Sequence, residues 1–304
     1  MESSGHEPET IPTLPAPWTL KGTVYILMIY TTSSGAATLS SDPAFIYSPL
    51  EANSSFSKGQ LKGGLSMVQL IRYTESPAGP YDEMVLIPGY FEYEVETKDK
   101  NGKTKVEKRK NLRCTKLFVS QDKTCWNGRK NWSTPKHLAH FDFVDLPDNR
   151  TQITVYPLIP DTSGQERIKS HTPFFTTIFR PISYAPTFSC STAVSKYVGL
   201  DLSLVQPPLP EGEGPELAGT SQWAKVAAVE WSKKTSLGWF DLRQKKEGAD
   251  EQEPLLGEQH NAIEEGGVRH ENFWPGLGRW RIGIKMEEAV IEFPEAVYWE
   301  GLKL

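Results

Sequence analysis

The residue in this chain best suited to covalent chemistry is Lys136, in the run Asn127-Gly128-Arg129-Lys130-Asn131-Trp132-Ser133-Thr134-Pro135-Lys136-His137-Leu138-Ala139-His140-Phe141-Asp142-Phe143. Proline and apolar residues flank it, whereas most other lysines stand among charges. A lysine attacks a carbonyl only as the neutral amine, and its reference pKa of ~10.4 leaves roughly one side chain in two thousand neutral at pH 7. Desolvation penalises the ammonium but not the amine. A lysine drawn into an apolar pocket is therefore suited to Schiff-base formation with a ketone.

Other side chains with chemical potential carry less. His137 and His140 are three apart, with Asp142 beyond, which is a metal-ligand spacing on a helix, but the sequence supplies no third and fourth ligand. Cys114, Cys125 and Cys190 are an odd number at no ligand-like spacing and read as buried thiols. The basic cluster between Lys98 and Lys110 alternates with glutamates and reads as a solvated ribbon, not a phosphate site. Gly276-Leu277-Gly278 precedes a strand pattern, the wrong context for a dinucleotide loop. Of the nine tryptophans, Trp223, Trp231, Trp239, Trp274 and Trp280 gather towards the C-terminus and are expected to pack in the core or at a barrel mouth.

The elements that must position Lys136 are mostly strands. Apolar, β-type runs occur at Gly22–Tyr30, Leu65–Tyr73 and Glu83–Tyr93, the last interrupted by Pro88-Gly89. A hairpin is centred on Asn101-Gly102. Further strands are expected at Leu112–Ser120, Thr151–Leu158, Phe174–Arg180 and Arg279–Glu292. Short helices are expected at Ser191–Val198, ahead of Gly199, and after Pro135. Residues 1–17 read as a disordered leader, and Gln244–His270 as a flexible, charged insertion in a single domain spanning 18–304. The expected fold class is mainly β (α+β), with antiparallel sheets and few short helices.

Two segments, in this order and at about this separation, resemble the acetoacetate decarboxylase superfamily, in particular its larger, fungal-type members. One is Arg72-Tyr73-Thr74-Glu75-Ser76 at a strand end; the other is Gly128-Arg129 followed by Pro135-Lys136 and Leu138. The resemblance implies a sheet curled into a cone or barrel with the lysine inside. It further implies a Schiff base on Lys136, a proton shuttle at Glu75, and an arginine, Arg129 or Arg72, holding the substrate carboxylate, with His137, Trp132 and Tyr73 also lining the site. The family's second lysine is His137 here, so activation of Lys136 is expected to rest on burial alone. A downward shift of ~3 pKa units would require its cation to be disfavoured by ~4 kcal/mol.

Composition narrows the setting. The chain has 304 residues, 38% hydrophobic and 11% aromatic, with a formal charge of -5, enough for a large core and too acidic for a nucleic-acid or anionic-membrane surface. The polar, proline-bearing N-terminus has no apolar targeting region, which gives the expectation of a cytoplasmic protein. The reading that follows is a lyase, of decarboxylase or aldolase/dehydratase type, acting on a keto acid or ketone-bearing metabolite. It expects a small-molecule substrate, no cofactor and no metal, and leaves homo-oligomers open. The alternatives are a non-covalent cyclase or isomerase using the same cavity, and a small-molecule binding protein.

Overall fold

The computed structural model describes residues 11–98, 100, 103–161, 167–242, 274 and 277–300. In chain order the elements begin with β1 (Trp18–Thr31), α1 (Ser33–Ser41), α2 (Pro49–Ala52), β2 (Gln60–Glu75), β3 (Tyr81–Ile87), β4 (Tyr90–Lys98) and β5 (Thr104–Leu112). They continue with β6 (Lys116–Val119), α3 (Asp122–Trp132), β7 (Lys136–Leu146), β8 (Arg150–Pro160), β9 (Arg167–Lys169), β10 (Phe175–Pro181) and β11 (Phe188–Ser191). The last are β12 (Leu204–Gln206), β13 (Trp223–Val226), β14 (Val229–Asp241), β15 (Trp280–Phe293) and β16 (Val297–Trp299).

Nine strands close on themselves in the order β1-β15-β14-β10-β8-β7-β6-β3-β2, because β1 also pairs with β2. Within this barrel β6 and β7 run parallel and the other neighbours antiparallel. The first residues of β2 leave the barrel to pair with β4, and β5, β12, β13 and β16 complete a second sheet. The barrel interior is filled from every barrel strand except β15, by residues such as Tyr25, Leu70, Met84, Phe141, Val155, Phe179 and Phe240, with Phe118 of β6 packed against them. Ala36, Leu39, Ile46, Tyr47 and Phe56, from α1 and the following turns, belong to the same core.

A second core lies on the outer face of β15, β1, β2, β3 and β6. There Leu20, Val24, Ile71, Val85, Val119 and Met286 are covered by Cys125 and Trp132 of α3, Leu112 of β5 and Val226 of β13. Opposite faces of one strand thus serve two cores, as the two-residue side-chain period allows.

The expected strands are present, with the β4–β5 hairpin pairing from Tyr90↔Leu112 to Lys98↔Thr104; its Asn101-Gly102 turn lies outside the described residues. Thr192–Val198 forms a 3-10 helix capped by Gly199 in the left-handed conformation. The helix expected after Pro135 is instead β7. Its alternation puts His137, Ala139 and Phe141 on one face and His140 and Asp142 on the other, so the two histidines do not share the face that a helical ligand spacing requires. Among the described residues no group of three or more His, Cys, Asp and Glu side chains could hold a metal, and no helix is long and apolar enough to cross a membrane.

The leader is ordered at its end. The Leu14 amide donates to Asn127 Oδ1 at 2.7 Å, while Asn127 Nδ2 and Asn131 Nδ2 donate to the Pro12 and Leu14 carbonyls at 2.9 and 2.8 Å. These bonds tie residues 12–14 to α3, contrary to a leader disordered as far as residue 17. The insertion expected at 244–270 lies outside the described residues. Of the clustered tryptophans, Trp274 is buried, whereas Trp239 (44% exposed) and Trp280 (38%) lie on an open strand face and not in the core.

Candidate active site

Lys136 opens β7, in register with Leu117 of β6, and its side chain lies on the covered outer face beneath α3, not inside the barrel. His137, one residue on, faces the other way. Lys136 is 4% exposed. Its Nζ donates to Glu83 Oε2 at 2.8 Å and to Thr124 Oγ1 at 3.1 Å, and it lies 5.4 Å from the centre of the Tyr81 ring. Glu83 is 3% exposed and also accepts from the Tyr73 hydroxyl at 3.1 Å. Tyr73 and Tyr81 are cross-strand partners whose ring centroids lie 4.4 Å apart, with the rings tilted by 36°. Burial raises both phenol pKa values well above the ordinary value, with Glu83's charge adding to the effect.

Helix α3 admits this lysine because Gly128 has no side chain. A Cβ there would lie 2.5 Å from both Lys136 Cδ and Cε. The backbone at Lys136 is fixed as well, since its carbonyl accepts from Arg129 Nη1 at 3.1 Å and from the Cys125 thiol at 3.3 Å. Burial pushes the Cys125 thiol up to about 12 and raises Cys114 too, so both are inert hydrophobic neighbours.

A second carboxyl lies on the same outer face. Glu230 of β14 is 7% exposed and accepts from Gln69 Nε2 at 3.4 Å. Burial pushes its pKa up to about 7, the Gln69 hydrogen bond pulls it down, and the charge of Glu83 pushes it further up. Lys136, Glu83, Glu230, Tyr73, Tyr81 and Gln69 therefore form a buried set of ionisable and polar groups inside an apolar layer.

The structure separates several residues that the sequence placed together. Glu75 does not reach Lys136. It is paired with Lys21, its cross-strand neighbour, at 2.8 Å, with both side chains more than half exposed. Tyr73 is the last residue of β2 under the cover, and Glu75, two positions on, projects beyond it. Glu83, which pairs with Ile71, supplies the carboxyl instead. Arg72 binds Asp82 at 3.3 Å, lies 4.8 Å over the Phe143 ring, and is half exposed. Trp132 packs edge-on against Trp18 and donates to the Pro294 carbonyl at 2.8 Å, a packing role.

Arg129 is fully buried and has every nitrogen committed. Nε donates to the Ala218 carbonyl at 2.9 Å, Nη2 to the Pro210 carbonyl at 2.7 Å, and Nη1 to Glu51 at 3.0 Å as well as to the Lys136 carbonyl. No edge is left for a substrate carboxylate. His137 Nε2 lies 2.6 Å from the other Glu51 oxygen. Burial raises the Glu51 pKa, but the His137 hydrogen bond and the charges of His137 and Arg129 outweigh it and leave the pKa below the ordinary range.

Activation by burial alone also needs correcting, since Lys136 has a carboxylate in direct contact. Sequence reasoning missed Glu83, yet a signal was present. In Tyr81-x-Glu83-x-Val85-x-Ile87 a single carboxylate interrupts an otherwise apolar strand face.

No family model matches the sequence, and no curated protein does. The fold does have solved counterparts. Acetoacetate decarboxylase from Legionella pneumophila superposes with a TM-score of 0.52 at 15% identity, covering 99% of this chain and 94% of that one. Another acetoacetate decarboxylase structure gives 0.53 at 9% identity, covering 98% and 97%. An acetoacetate decarboxylase-like enzyme from Sphingomonas wittichii gives 0.51 at 10%, covering 95% of each chain. The chain has an acetoacetate decarboxylase-like fold.

Proposed function

We propose that the protein is a Schiff-base lyase acting on a keto acid or ketone-bearing metabolite, with Lys136 as the nucleophile and Glu83, in place of Glu75, as its acid–base partner. The single observation that carries this reading is the 2.8 Å contact between a buried lysine nitrogen and a buried carboxylate. Such a pair can exchange a proton without water. The ammonium passes its proton to Glu83, and the neutral amine adds to the substrate ketone to give a carbinolamine. Glu83 returns the proton to the departing hydroxyl, and water leaves as the iminium forms.

In a β-keto acid the bond to the carboxylate then breaks, CO2 departs, and the electron pair moves to the iminium nitrogen to give an enamine. Protonation at carbon and addition of water release the ketone and restore Lys136. The apolar layer favours the bond-breaking step because the carboxylate's charge is dispersed as CO2 forms. Tyr73, hydrogen-bonded to Glu83, would hold the carboxylate in line with the amine.

The test is reductive trapping. Incubation with a panel of β-keto acids and borohydride is expected to add the mass of the product or substrate skeleton to the peptide containing Lys136, and a Lys136→Met variant is expected to stay unmodified. Turnover that survives in Lys136→Met would overturn the covalent mechanism and favour a non-covalent isomerase or cyclase.

A further inference from the structure

A second buried cation, away from the Lys136 pair, has no acidic partner among the described residues. Arg113 follows β5 and is 0% exposed. Its Nη1 donates to the Phe56 and Lys58 carbonyls at 3.2 and 2.8 Å, and its face stacks on Phe91 at 4.4 Å. Its Nε and Nη2 are buried and make no hydrogen bond. These two nitrogens form one edge of the guanidinium, the fork that takes both oxygens of a carboxylate.

Other buried polar atoms also lack partners, and one of them, the Tyr47 hydroxyl, faces Arg113. The Ser48 hydroxyl and Thr115 Oγ1 are buried and unbonded, as is Gln206 Oε1, whose amide nitrogen donates to the Cys114 carbonyl at 3.2 Å, and the Tyr47 hydroxyl is buried against the guanidinium without a hydrogen bond of good geometry. Tyr47 faces Arg113 closely: burial raises its phenol pKa, and the guanidinium, through its charge and its polar contact with the hydroxyl, draws it part of the way back. Gly59, with φ +108°, passes so near that a Cβ on it would stand 3.4 Å from Nη2. Cys114 packs in the outer core with the Lys136 site, whereas Arg113 lies against Phe56 and Phe91 of the inner one. Native interiors rarely leave this many polar groups unbonded, and an unpaired charge is the costliest of them.

We propose that the edge of Arg113 formed by Nε and Nη2, with the Tyr47 hydroxyl beside it, is a binding site for a small carboxylate, separate from the Lys136 pair. The carboxylate would take two parallel hydrogen bonds from Nε and Nη2, neutralise the buried charge, and accept from the Tyr47 hydroxyl. The assignment does not depend on Schiff-base chemistry at Lys136.

The experiment is an NMR titration of 13C-labelled acetate into the full chain, with acetamide as the uncharged control. Wild type and Lys136→Met are expected to bind acetate alike and to ignore acetamide. Arg113→Gln is expected to weaken binding by about tenfold or more, and Tyr47→Phe by a few-fold. Should Arg113→Gln not fold, Tyr47→Phe decides alone. Absence of acetate binding in wild type, equal binding of acetamide, binding lost in Lys136→Met, or binding unchanged in Tyr47→Phe would each overturn the site.

Discussion

Arg129 and Arg113 are both fully buried, yet they are built differently. Arg129 meets Glu51 and three carbonyls, with each of its three nitrogens engaged. Arg113 meets two carbonyls with one nitrogen, rests its face on an aromatic ring, and keeps an entire edge unbonded. A saturated cation fixes chain segments to one another. Arg129 joins α2, α3, the start of β7 and the loop around Pro210 and Ala218. An unsaturated one is a recognition element awaiting a charge. The resemblance pointed to Arg129 or Arg72 for holding the substrate carboxylate, but the Arg129 hydrogen bonds go to Glu51 and to backbone carbonyls, that of Lys136 among them.

The sharpest way to break this contrast is to remove each charge. Arg129→Met leaves Glu51 buried beside His137 alone and deprives carbonyls of their donor, so it is expected to cost about 3–5 kcal/mol in urea unfolding. Arg113→Gln, measured without added carboxylate, is expected to cost far less or to stabilise, because it removes a charge with no counter-ion. Equal losses in the two variants would erase the distinction between framework and site.

The next largest effect belongs to Glu230. Its folded pKa of about 7 lies above the ordinary 4.5, so the folded state binds more protons than the unfolded one between these values. Stability is therefore highest below pH 4.5 for this group and falls as pH rises towards 7, by about 3 kcal/mol in all. Glu230→Gln should remove that decline, gaining stability relative to wild type at pH 8 but not at pH 4. Parallel pH profiles would show that Glu230 ionises normally. Smaller still is Gly128→Ala, which forces a methyl against the Lys136 stem and is expected to cost about 1–3 kcal/mol. The trapping rate at Lys136 should fall even at temperatures where the variant is fully folded.

Much of the barrel was legible because its strands are long and strongly patterned, as in Gly22–Tyr30 and Leu65–Tyr73. Lys136 was legible through its apolar setting. β14 and α3 went unread: β14 mixes tryptophan with lysine and serine, and α3 is polar along most of its length and ends at Ser133 without a glycine. The misplacement of Glu75 has a geometric cause. Whether a strand-end carboxylate is wet or dry depends on how far a covering helix from elsewhere in the chain extends, and that helix was not anticipated. Arg113 gave no signal at all, since its isolation is a property of the folded interior.

The bonds from residues 12–14 to Asn127 and Asn131 give the start of the chain a hold on the element that carries Gly128 and Arg129. Trimming those residues to obtain a tidier recombinant product would free one side of α3 and slacken the roof above the reactive nitrogen. Preparations that differ only in their first dozen or so residues should then differ in how quickly borohydride captures an adduct.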